Sequence, residues 1–183
     1  MGKLIYGTNC SLDGFIEDAT GSFDFAEPDP EVHKFWNDFL RQTGTQIYGR
    51  RLYESMAVWE TMDVDDEPDV MREFKEIWID RDKLVYSRTL EDVSTARTTL
   101  EREFNPDQIR ELKSGDADLV IGGADLAAAA FAEGLVDVVG LMISPLSVGG
   151  GKPALPLGQR VEMQFEDERR FDNGAVYVKY RVN

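Results

Sequence analysis

The chain of 183 residues carries 35 acidic against 20 basic side chains, a formal charge of −15, with 42% of its residues apolar. That apolar share builds one core near the upper size of a usual domain, and the acidic balance argues against nucleic acid or anionic lipid as partners. No run approaches the ~20 apolar residues of a membrane span, and one cysteine, Cys10, with one histidine, His33, provides neither an internal disulfide nor a metal cluster.

Leu4 to Asn9 reads as a first strand rather than a signal peptide, and the reduced cysteine suits the cytoplasm. Asp13-Gly14 follows, where Asp13 either caps a turn or orients a substrate. Pro28-Asp29-Pro30-Glu31 opens a helix, with proline in the first turn and acids at its positive end. Val32, Phe35, Trp36, Phe39 and Leu40 then recur at three and four, which predicts an amphipathic helix to about Thr43. His33 lies on that helix, where a solvated surface position and an acid–base role are both open. The rings of Phe23, Phe25, Phe35 and Trp36 are either core or a flat wall for a bound ring.

Gln46 to Gly49 reads as a strand running into a glycine and then a helix that carries Arg50 and Arg51 at its start. Positive charge there opposes the helix dipole, so the arginines either meet a phosphate or pair with surface acids. The acidic segment 60–70 is a solvated loop, 70–78 a helix, and Lys83 to Ser87 a strand ending at Arg88. Asn105 caps a helix anchored by Ile109 and Leu112. Asp118 to Ile121 is another strand, and Gly122-Gly123-Ala124-Asp125-Leu126 leads from it into an alanine-rich helix stopped by Gly134. First-turn N–H groups at such a junction have no helical partner and suit a phosphate, although a plain tight turn fits the same residues. Residues 136–144 form a long strand and 149–157 a special loop. Two alternating runs around Asp172-Asn173-Gly174 form a terminal antiparallel hairpin. Strand–helix alternation with that hairpin predicts one α/β domain over 1–183 with a mixed central sheet flanked by helices.

Five segments, Ser11-Leu12-Asp13-Gly14-Phe15, Gly49 to Glu54, Val85 to Leu90, Ile121 to Leu126 and Ser144-Pro145 with Gly149 to Pro153, occur in an order that resembles the dihydrofolate reductase-like superfamily. The chain is most similar to stand-alone relatives of the reductase domain of the riboflavin-pathway deaminase–reductases. The resemblance implies an NADPH-dependent reductase, commonly dimeric, acting on a small heterocyclic or conjugated substrate. It places Gly49, Arg50 and Arg51 at the adenosine side and bridging phosphates, and Ser87 and Arg88 at the 2′-phosphate. Gly122, Gly123, Ala124, Asp125 and Leu126 would wrap the pyrophosphate, and Asn9, Asp13, Phe25 and Trp36 would face nicotinamide and substrate. Glu31, with His33 as rival, stands nearest the acid that folate reductases carry on their first helix. No metal site is implied, the deaminase zinc motif is absent, and the acidic start of the first helix offers no basic residues for a ribityl phosphate. Two alternatives are a strict pyrimidinone or folate reductase and a nucleotide-binding dimer without catalysis.

Overall fold

A computed structural model describes residues 1–183. The chain runs β1 (Leu4–Ser11), β2 (Phe15–Asp18), α1 (Pro30–Arg41), β3 (Thr43–Gly49), α2 (Arg50–Met56), α3 (Asp69–Asp80), β4 (Lys83–Tyr86) and β5 (Thr98–Glu101). It continues through α4 (Pro106–Lys113), β6 (Asp118–Gly122), α5 (Ala124–Ala132), β7 (Val138–Ser144), β8 (Gly151–Pro153), β9 (Met163–Arg170) and β10 (Val176–Val182). Eight strands form one sheet in the order β5-β4-β3-β6-β1-β7-β10-β9. The first six are parallel neighbours, and β10 lies antiparallel to β7 and β9. A separate antiparallel ribbon joins β2 to β8. The mixed sheet with its terminal hairpin is the predicted architecture.

Alternation along the central strands serves two helical layers. Leu4, Tyr6, Ile47, Leu84, Leu119 and Ile121 point to the side of α4 and α5, where Ile109, Ala127, Ala130 and Phe131 complete the largest core cluster. The other face packs Val32, Phe35 and Trp36 of α1 against Met142 and Tyr177, and Tyr53 of α2 against Tyr48 and Val85. Gly7 lies beneath the Trp36 ring, where an added Cβ would make ordinary van der Waals contact with the indole at 3.5 Å. No helix is long and apolar enough to cross a membrane.

Three local expectations change. Helix α1 stops at Arg41 instead of Thr43, because the Thr43 hydroxyl donates to Leu40 O at 2.9 Å and Thr43 itself pairs with Asp118 in the sheet. The glycine-rich stretch from 149 is partly strand: Phe15 lies opposite Pro153 and Asp18 opposite Gly151, and Ala154 N donates to Gly14 O at 2.8 Å. His33 is not a solvated surface residue. It is half-buried and packs edge-on against Phe74 at 5.3 Å and Trp59 at 6.3 Å.

Candidate functional site

The carboxyl ends of the six parallel strands lie along one edge of the sheet. Strands β3 and β6 are neighbours there, with Tyr48 opposite Gly122. Their connections leave in opposite directions, since α2 packs with Tyr48 on one face and α5 with Ile121 on the other. Neighbouring strands whose connections part in this way open a crevice outside their carboxyl ends, where α/β proteins bind ligands. The two predicted glycine junctions flank it. A Cβ on Gly49 would lie 3.9 Å from Leu126 Cβ, so the first turn of α5 stands directly over the start of α2. Gly122 is closed in by Leu52, whose Cδ2 a Cβ there would meet at 2.4 Å.

Neither helix is capped by a side chain: Gly49 precedes α2 and Gly123 precedes α5 without a capping hydrogen bond. Gly123 has φ of +89° with nothing within 4 Å of an added Cβ, a left-handed position facing open space. The N–H groups at the start of α5 are therefore available to an anion. Around them the charges are arranged in pairs. Arg50 reaches Glu54 of its own helix at 3.5 Å, and Arg51 reaches Glu17 of β2 at 3.2 Å. Asp125 is mostly exposed and accepts from Lys152 of β8 at 2.5 Å. Glu17 and Lys152 are directly opposite each other in the ribbon. One cross-strand pair thus ties the ribbon to the second residue of both helices. Ser87 is buried, its Oγ accepting from Leu90 N at 2.9 Å and Thr89 N at 3.3 Å. Arg88 stands out from that turn, 80% exposed, with only a 3.8 Å approach to Glu103.

On the far side of β1 the edge has a different character. Asn9 donates to Ala26 O at 3.0 Å and accepts from Trp36 Nε1 at 2.9 Å, which fixes both its side-chain groups between the turn Asp24–Ala26 and α1. Phe25 is half-buried in that turn, and Phe23 beside it is exposed. Asp13 accepts from the Ser11 hydroxyl at 2.6 Å, the Ser147 hydroxyl at 2.7 Å, Gly149 N at 2.7 Å and Val148 N at 3.1 Å. These four donors hold its carboxyl well below the usual carboxylate range. Asp13 is therefore the fixed point of the 144–150 loop.

The structure does not bring Glu31 and His33 together. Glu31 accepts from Arg169 at 3.1 Å and from Asp172 N at 3.1 Å, at the turn of the β9–β10 hairpin. Burial holds the His33 imidazole below its ordinary pKa, and its Nδ1 is buried without a partner. Cys10 lies buried on the α5 side of β1, and burial pushes its thiol up to about 11, far from the thiolate range of a nucleophile. No group of three or more His, Cys, Asp or Glu side chains is placed to share a metal ion. Sequence reasoning left Glu17 of this edge without a role, since a lone acid on a short strand gives no local signal of its partner.

A sheet with helices on both faces and an uncapped, glycine-lined crevice between adjacent strand ends defines a protein of the α/β class. The chain matches the RibD C-terminal domain family over residues 2–177 and belongs to that family, a group of reductase-like domains with the dihydrofolate reductase-like fold. It is 29% identical to the protein YyaP of Bacillus subtilis (strain 168) over 99% of this chain and 95% of that one. A protein from Shewanella sp. PV-4 named a "putative riboflavin biosynthesis protein" superposes with a TM-score of 0.76 at 20% identity, covering 99% of each chain. A pyrimidine reductase-like protein of Corynebacterium diphtheriae gives 0.63 at 14% identity, covering all of this chain and 92% of that one. The Thermotoga maritima diaminohydroxyphosphoribosylaminopyrimidine deaminase/5-amino-6-(5-phosphoribosylamino)uracil reductase gives 0.68 at 13% identity, with this chain spanning 57% of its length.

Proposed function

We propose that this protein is an NADPH-dependent reductase that transfers hydride to a small heterocyclic or conjugated substrate. The observation that carries the reading is the pair of uncapped glycine junctions at adjacent strand ends, Gly49 against Leu126 and Gly123 open to the crevice, in a chain of a reductase-like family. The cradle fits a dinucleotide: N–H groups at Ala124, Asp125 and Leu126 would receive the pyrophosphate, with Gly123 keeping a Cβ out of its path and Gly122 making room for Leu52 beside it. Gly49, Arg50 and Arg51 would meet the adenosine side and Arg88, beside Ser87, the 2′-phosphate. When bound, the reduced nicotinamide supplies the hydride. The protein's part is to align two rings and exclude water.

Asn9, Phe25 and Trp36 line the substrate side, with Asn9 locked so that its position is set before a substrate arrives. Asp13 positions the glycine loop. Glu31 spends its carboxylate on Arg169 and Asp172, and His33 faces Trp59 and Phe74. Neither presents a free group to a substrate ring, so solvent is the proton source this reading invokes. Calorimetric titration tests it: NADPH is expected to bind in the micromolar range and NADH about tenfold or more weakly, for loss of one charge-assisted phosphate contact. Indifference to both cofactors would remove the reading in favour of a fold kept without catalysis.

The same reading includes a cytoplasmic homodimer. Its support is the outer face of β10 and β9 beyond the α5 core, which takes in Val139 of β7 and Val182 of β10. Alternation sends Val178 and Tyr180 to that face and Lys179 and Arg181 to the other, and Phe165 stands on it 53% exposed beside Tyr180. An antiparallel sheet with one wet face places its polar residues there, so apolar alternation toward solvent implies a second copy. Light scattering is expected to give a dimer for the natural chain and a monomer for Phe165→Glu. A monomeric natural chain would rule the interface out.

A further inference from the structure

Three places on the substrate side of this cleft that could hold an anion are already filled by carboxylates of the chain itself, and Arg170 of the β9–β10 hairpin stands 3.9 Å from Glu168. The start of α1 is one such place. Asp29 accepts from Val32 N at 2.9 Å, and Pro30 at the first helical position has no N–H to offer. The glycine-rich loop after β7 is the second. Its Val148 and Gly149 N–H groups both donate to Asp13. The third is Arg169, the cation that the β9–β10 hairpin brings to this edge. It pairs with Glu31 at 3.1 Å and lies over the Phe171 ring at 4.8 Å, while Glu31 is anchored from behind by Asp172 N.

The covalent chain adds nothing positive. Between Lys3 and Lys34 there is no lysine or arginine, and seven acids stand in that interval. Two of them, Asp24 and Glu27, flank the turn that holds Asn9, are exposed, and have no cationic partner. Arg88, loosely paired at 3.8 Å, and the paired Arg50, Arg51 and Lys152 lie on the other side of β1, around the cofactor cradle. A phosphate arriving on the substrate side would therefore leave water for a rim of like charge whose donors are mostly engaged by carboxylates of the chain.

We infer that the substrate of this cleft is an unphosphorylated ring, neutral or cationic, with hydrogen-bond donors rather than acids on its outer edge. The inference rests on the reductase reading above and names the substrate class of that same site. It sets this chain apart from a reductase whose substrate carries a phosphoribosyl group, while leaving the hydride chemistry unchanged.

A matched pair of probes tests it: 5-amino-6-(5-phosphoribosylamino)uracil and the same compound without its phosphate, titrated into the protein with NADPH present and absent, with binding and NADPH oxidation both followed. The natural chain is expected to bind the unphosphorylated compound about tenfold or more tightly than its phosphate. Glu31→Gln, which frees Arg169, and the exposed double variant Asp24→Lys/Glu27→Lys are each expected to narrow that gap by about fivefold or more, leaving NADPH affinity unchanged. Equal or tighter binding of the phosphate by the natural chain would overturn the inference, as would failure to bind either compound. The cofactor titration reads the other question separately: discrimination between the two probes without NADPH binding would remove the reductase reading and keep the charge preference.

Discussion

Arg88→Ala is expected to weaken NADPH binding about tenfold while leaving NADH binding unchanged. The physical basis is the isolation of this guanidinium. At 80% exposed and 3.8 Å from Glu103, it is held by no strong intramolecular pair. Its backbone is set by the Ser87 turn, whose Oγ receives Leu90 N, and by Arg102, which donates to Ser87 O and Leu90 O from the neighbouring strand end. The side chain is thus mobile on a fixed base, which suits a contact made only when a ligand supplies the other half. A charge-assisted hydrogen bond contributes about 1.5–3 kcal/mol, and solvent screening at so exposed a site argues for the lower part of that range. At about 1.4 kcal/mol per factor of ten, the expected loss is about one order of magnitude. NADH lacks the phosphate that Arg88 would meet, so its affinity is the internal control. Raising the salt concentration should erode the preference of the natural chain and leave the variant flat. Equal losses for both cofactors would show that Arg88 acts on the turn and not on the 2′-phosphate.

The parts of this site that could be read from the chain are those with local causes. Gly49 and Gly122 were visible because each interrupts an apolar run and precedes a helical pattern, and the sheet places both on one edge. Helix α1 was visible through its period, and the terminal hairpin through Asp172-Asn173-Gly174 between alternating runs. What was hidden depends on partners far away in sequence. Strand β8 pairs with β2 across most of the chain, and three glycines conceal its pattern. Asp13 has the same appearance whether it caps a turn or meets a substrate; the difference lies in Ser147, Val148 and Gly149. His33 leaves a surface position and an acid–base role both open to the sequence because the rings that cover it, Trp59 and Phe74, come from separate segments. Glu31 and His33 were rivals for one role, yet two residues apart on a helix they are turned about 200° from each other. One went to the hairpin and the other to α3, and helix phase alone excluded a shared target.

The ribbon shows how a fold can couple two distant loops with few residues. Arg51 and Asp125 start different helices on different faces of the sheet, and each has the wrong or right sign for its own dipole: Asp125 is favourable at a helix start and Arg51 is not. Glu17 and Lys152, opposite each other on β2 and β8, answer both with complementary charge. The unfavourable Arg51 is thereby retained at the crevice, charged and paired through a partly exposed contact. Such a contact is weak enough in water for a phosphate to compete with it.

Asp13→Asn carries the other large expected effect, a fall in kcat/KM on the order of 10- to 100-fold with the melting temperature also lowered. An amide has one accepting oxygen where the carboxylate has two, and its NH2 group would face an N–H or hydroxyl donor. Of the four donors from Ser11, Ser147, Val148 and Gly149, some must lose their acceptor. The 144–150 loop would then be free to shift beside the end of β1, where Leu12 N donates to Leu146 O and where the loop leads into the ribbon. The pH dependence separates this role from a chemical one. Because Asp13 is held below the ordinary value of about 3.9, its stabilising contribution is complete above that pH and is lost as pH falls through its folded value. The gap in melting temperature between the natural chain and Asp13→Asn should therefore be constant near neutrality and shrink on acidification below about pH 4. A variant with unchanged melting temperature and cofactor affinity but no turnover would instead place Asp13 in the reaction itself, and a gap that stayed constant down to acid pH would deny the carboxylate its part in holding the loop.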